Sequence, residues 1–126
     1  LFENNRLAFF VSTLLGGCIW KFSETLSGAK EPWDGNILLY LLQVFCAGLA
    51  YGLLCRSDPR WGYFSTYIGQ FLYGFSLFAI CLTSACQGGA NLFPIGAIFL
   101  LFTTLPAALG SYLGFYLKQA IRKTDK

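Results

Sequence analysis

Apolar residues run through this chain in four long stretches with almost no charge inside them, separated by short polar connectors. Asn36 to Cys55, Tyr63 to Cys86 and Leu92 to Leu117 contain no Asp, Glu, Lys or Arg. A helix crosses about 30 Å of hydrocarbon with roughly 20 apolar residues, so each stretch predicts a transmembrane helix, at 36–55, 63–86 and 92–118. The first stretch, Leu7 to Trp20, is shorter and meets Lys21. It crosses if Lys21 snorkels and the helix runs on to Leu26, giving a span at 7–26; a re-entrant or interfacial helix is the competing reading.

The connectors are too short to be domains. The longest, Ser23 to Gly35, carries Glu24, Lys30, Glu31, Pro32, Trp33 and Asp34, and a Trp there suits a membrane interface. Arg56 to Gly62 is a turn around Ser57-Asp58-Pro59, and Gln87 to Asn91 is a Gly-Gly turn. Short links make consecutive helices antiparallel neighbours. The expected fold is therefore an all-α membrane protein, one domain over 1–126, built as a compact antiparallel four-transmembrane-helix bundle. No internal repeat supports an inverted-topology pair.

With four spans, Arg6, Arg56, Arg60, Lys118, Arg122, Lys123 and Lys126 share one side, against Lys21 and Lys30 on the other. The positive-inside rule then predicts that both termini are cytoplasmic. Composition agrees with membrane burial, at 56% hydrophobic and 12% charged residues, where soluble domains carry about 25% charged. The net charge of +3 is accounted for by topology and calls for no nucleic-acid partner.

Within the spans, Ala107, Gly110, Ser111 and Gly114 fall at i, i+3, i+4 and i+7 and form a small-residue face on the fourth helix. Gly48 and Gly52 notch the second helix similarly. Such faces serve packing within a bundle or contact with another subunit. Pro106 removes a backbone bond to Phe102 and predicts a kink, with Thr103 and Thr104 able to re-satisfy the freed groups. The third helix is two-faced: Gly62, Thr66, Gly69, Gln70, Tyr73 and Ser76 gather on one side, Phe64, Tyr67, Phe71, Phe75 and Phe78 opposite. A mid-membrane amide needs a partner, so Gln70 either bonds between helices or lines a polar path with Thr66, Tyr73 and Ser76.

The chain has no His, which removes His-based triads and His metal or haem ligation. No phosphate loop or dinucleotide fingerprint occurs, and no cofactor or metal is expected. Cys18, Cys81 and Cys86 lie towards the outer half in the predicted topology, so a disulfide between Cys18 and Cys81 or Cys86 is conceivable. Lys21-Phe22-Ser23-Glu24 resembles a string that follows the first helix of small multidrug transporters. The likeness covers four residues, and Thr13 stands where those proteins hold their membrane-embedded glutamate, so the proton-coupling group is missing.

Three functions follow as expectations. The first is a non-enzymatic accessory or scaffold subunit that meets another membrane protein through small-residue helix contacts. The second is a homo-oligomeric channel or transporter with a polar path along the third helix. The third is an outer-face thiol oxidoreductase using Cys18, Cys81 or Cys86.

Overall fold

The computed structural model describes residues 5–29, 31–83 and 93–124. The described chain is helical throughout its regular parts: α1 (Arg6–Lys21), α2 (Ser23–Ser27), α3 (Ile37–Leu54), α4 (Trp61–Thr83), α5 (Phe93–Thr103) and α6 (Leu105–Thr124). Three stretches, Ile37–Leu54, Trp61–Thr83 and Pro94–Thr124, are long and apolar enough to cross a membrane.

Two expected helices are interrupted. The first does not run unbroken from 7 to 26: α1 closes at Lys21, where the Phe22 N–H still reaches the Cys18 carbonyl, and α2 restarts at Ser23. Gly28 ends α2 at φ 74°, donating its N–H to the Glu24 carbonyl; this left-handed conformation is open to glycine without a Cβ penalty. The fourth helix breaks at Thr104 into α5 and α6 and continues past 118 to Thr124. Pro106 cannot donate to Phe102, and its ring crowds the preceding turn. The chain answers by tightening, so that Ala107 N–H bonds the Thr104 carbonyl at 2.9 Å. The end of the third helix expected at 84–86 lies outside the described residues.

The closest helix pairs are not consecutive ones. α3 packs most extensively on α6 and α1 on α4, with α1 against α3 next. Each of the two closest pairs is parallel, because contacts advance along both helices in the same direction: Asn5 lies by Ser57, Ser12 by Thr66 and Gly16 by Gln70. Antiparallel connection holds between chain neighbours, but the tight seams join alternate helices.

Glycine makes those seams possible. A Cβ on Gly48 would overlap the Ala107 carbonyl, and one on Gly110 the Phe45 carbonyl. Gly52 meets the Ser111 carbonyl, and Gly114 the Leu49 carbonyl. Between α1 and α4, Gly16 faces the Thr66 carbonyl and Gly69 the Thr13 carbonyl. In every pair, each glycine sits on the carbonyl three residues before its partner glycine. Backbones this close gain van der Waals contact and Cα–H···O interactions, which matter in lipid because burying apolar side chains between helices brings little there. Accordingly the outside is apolar, with Leu38, Leu109, Leu82 and Ile95 exposed, and much of the interior is small or polar.

The seam geometry gives a direct test. Gly52→Ala or Gly114→Ala should destabilise the fold by about 1–3 kcal/mol through overpacking, whereas Leu109→Ala, on the outer face, should stay within about 0.5 kcal/mol. Unfolding midpoints in mixed micelles would measure both.

Candidate functional site

The break between α5 and α6 organises the polar interior. It leaves Thr103 and Thr104 at the middle of the fourth helical stretch, facing α3 and α4. Tyr40 on α3 donates its hydroxyl to Gln70 Oε1 at 2.7 Å and lies 3.0 Å from Thr103 Oγ1. Gln70 on α4 donates its Nε2 to Thr104 Oγ1 at 3.1 Å. Tyr40, Gln70 and Thr104 are essentially inaccessible, at 1%, 0% and 0% exposure, so these bonds form in a low-dielectric interior where an unmade one would be costly. The set carries no formal charge: a phenol, an amide and two hydroxyls.

A second buried pair adjoins it. Ser12 Oγ on α1 lies 2.8 Å from Thr66 Oγ1, one turn before Gln70, and is 3.4 Å from the Ala47 carbonyl. Thr66 also bonds back to the Gly62 carbonyl at 2.9 Å. Each of the four long helical stretches thus gives at least one side chain to the polar interior. Two buried donors have no partner among the described residues, Thr13 Oγ1 and Trp20 Nε1.

Trp33 closes one end. Its indole packs edge-on against Trp20, Phe99 and Tyr40, with centroids 5.1, 5.6 and 6.3 Å away, and its Nε1 donates to Glu31 at 3.0 Å. Burial is the main cause that raises the Glu31 pKa above its ordinary value, and Asp34 adds to it. At the opposite end, Asn5 does not cap its own helix. Its side chain instead accepts from the Arg56 N–H at 2.8 Å and donates to Ser57 Oγ. Lys118 Nζ donates to the Cys55 carbonyl at 2.7 Å. Arg60 bonds Asp58 through two nitrogens, chiefly through these bonds holding that carboxyl below its usual range. Asn5, just before α1, and Lys118, within α6, therefore both meet the chain between α3 and α4.

The expected site residues fall into three groups. Thr66 and Gln70 lie in the polar interior; Tyr73 is half-buried one turn on, while Ser76 is exposed and bonds the Tyr73 carbonyl of its own helix. Gly48, Gly52, Ala107, Gly110, Ser111 and Gly114 all meet in the α3 to α6 seam. Cys18 is a free, exposed thiol, so the disulfide considered for it is not formed; Cys81 is disulfide-bonded, and Cys86 lies outside the described residues. Cys18 and Cys46 instead line an open, largely apolar cavity of about 500 Å³ between α1, α2 and α3. No group of three His, Cys, Asp or Glu side chains that could hold a metal occurs among the described residues.

The aromatic face of α4 also makes contacts within the fold. Tyr63, Tyr67, Phe71 and Phe75 stack successively at 6.4, 5.9 and 6.0 Å. Tyr63 donates to the Leu101 carbonyl at 2.7 Å, in the last turn of α5, where carbonyls lose their in-helix partners.

Sequence reasoning singled out Gln70 but missed Tyr40 as its partner. The available signal was a phenol inside the run Leu38-Leu39-Tyr40-Leu41-Leu42, since a buried Tyr hydroxyl usually finds a partner. No protein-family model and no solved structure matches the chain.

The network predicts coupling. Tyr40→Phe and Gln70→Leu should each lower stability, with an interaction energy of about 0.6–1.7 kcal/mol in a double-mutant cycle. Unfolding in mixed micelles provides the measurement.

Proposed function

We propose that the chain is a four-span membrane protein with both ends in the cytoplasm, acting as a small channel or transporter for uncharged polar solutes. The observation that carries this reading is the buried cluster of Tyr40, Gln70, Thr103 and Thr104 at a broken helix. Membrane transporters place substrate groups near the midplane at discontinuous helices, where polar groups can be exchanged between protein and solute. A set of neutral donors and acceptors suits a solute that offers the same, such as a polyol or a small amide, and offers no counter-charge to an ion. The route would follow the polar face of α4 through Thr66 and Gln70, and opening would require Tyr40 to release Gln70. Transport on this view involves no bond chemistry, and it applies equally to a single bundle or to one member of a homo-oligomer.

A second reading, an accessory subunit of a membrane complex, is favoured by the lateral cavity between α1, α2 and α3. The six small residues first considered for partner contact lie in an internal seam, so a partner helix would seat in that cavity instead. Gln43 and Thr25 in its lining offer the polar contacts.

Two measurements test the main reading. Vesicles holding the purified protein should swell faster than empty ones in gradients of glycerol or urea. Gln70→Leu should return the rate to that of empty vesicles, and Ser76→Ala should leave it unchanged. Equal rates for protein-containing and empty vesicles across a panel of neutral solutes would sink the idea. For orientation, a reporter that works only in the cytoplasm should be active when fused after Thr124; an inactive fusion that is correctly inserted would reverse the topology.

A further inference from the structure

The reciprocity of the glycine seams extends to the sequence itself. Setting Gly16 on Gly69, as the contacts do, places Ser12-Thr13-Leu14-Leu15-Gly16 on Ser65-Thr66-Tyr67-Ile68-Gly69. The two segments share a Ser-Thr-x-x-Gly frame with an apolar residue at each variable place. Setting Gly48 on Gly110 aligns Gly52 with Gly114 and brings Arg56 onto Lys118, so both second helices carry a Gly-xxx-Gly notch followed four residues on by a cation. Asn5 and Asp58 then hold matching places before α1 and α4, and both are buried polar residues that accept a backbone N–H, Asn5 from Arg56 and Asp58 from Arg60.

We infer that the chain is two joined copies of one two-helix unit, α1 with α3 and α4 with α6, related by a twofold axis along the bundle, and that each unit's glycine face is a docking surface whose partner is the other copy. The parallel direction of the tight pairs is what such an axis requires, since it carries α1 onto α4 and α3 onto α6 without inverting either. Matching positions touch reciprocally: Gly16 meets the Thr66 carbonyl as Gly69 meets that of Thr13, and Gly48 meets Ala107 as Gly110 meets Phe45. These are the contacts two identical units would make across a dyad.

Where the copies differ, the polar interior appears. Gln70 stands where the first unit has Gly17, and Thr103 and Thr104 stand where it has Leu41 and Leu42. The symmetry is also broken in one bond: Ser12 pairs with Thr66, but the matching Ser65 bonds the Gly62 carbonyl and leaves Thr13 Oγ1 without a partner. The second unit thus carries most of the polar groups, and the first supplies Ser12 and Tyr40. This inference does not depend on the transport reading.

The test uses the full-length protein with a protease site inserted between Ser57 and Asp58, purified in mild detergent and then cut; a second version carries the site after Pro59. The two fragments should continue to migrate as one species. Gly48→Leu and Gly110→Leu, at matching positions, should each release most of the fragments after cutting, while Leu109→Ala should release none. Helicity of each uncut variant, measured beforehand, ensures that release is read from folded protein. Fragments that part without substitution at either site, or that respond to only one or to neither of the two glycine changes, overturn the inference.

Discussion

The close approach of glycine to a facing carbonyl is the constraint from which the rest of this fold follows. A bilayer already solvates leucine and phenylalanine, so helices within it gain little by hiding those side chains from their surroundings. What remains is contact between backbones and bonding between polar groups. Gly48, Gly52, Gly110 and Gly114 remove the side chains that would keep α3 and α6 apart, and Gly16 and Gly69 do the same for α1 and α4. Once two backbones are that close, the neighbouring side chains have fixed places. Tyr40, a buried member of the α3 core, is left facing Gln70 and Thr103.

The broken fourth helix shows how one residue shapes the interior at a distance from itself. Pro106 is not a member of the polar cluster, but the break it imposes turns Thr103 and Thr104 towards the bundle. Both hydroxyls then serve other helices, although Thr103 also bonds back to the Phe99 carbonyl at 3.3 Å. Tyr63 and Tyr67 reach across from α4 to carbonyls of α5, at Leu101 and Ala97. The break is therefore held from both sides, by hydroxyls within and phenols outside.

Much of the architecture could be read from the chain, and the failures have definite causes. Charge-free runs located three membrane-length helices because run length maps directly onto bilayer thickness. The break at Phe22 was not legible: Lys21 interrupts the apolar run but says nothing about where the backbone turns. Pairing of alternate helices was missed because short connectors suggest that chain neighbours pack best, whereas glycine placement decides packing in lipid. The spacing of Gly110, Ser111 and Gly114 identified a packing face, but spacing alone does not say which helix covers it. The matching Ser-Thr-x-x-Gly frames were present in the sequence, yet only the facing of Gly16 and Gly69 shows how to align them. For the site, Gln70 announced itself as an amide in an apolar helix, while Tyr40 and Trp33 look like ordinary aromatic residues until their neighbours are known.

The lengths of α1 and α4 are unequal. α1 has 16 residues and α4 has 23, corresponding to about 24 and 35 Å of rise, against a hydrocarbon thickness of about 30 Å. Packed side by side, the two helices start level and α4 runs on past the end of α1, which is shorter than the stretches that are long enough to cross a membrane. α1 closes at Lys21, and α2 follows it with Phe22 and Leu26 exposed. A helix shorter than the hydrocarbon it crosses is matched by local thinning of the bilayer, at fractions of a kcal/mol per Å, so α1, were it to cross, would favour a thinner bilayer than the three longer stretches require.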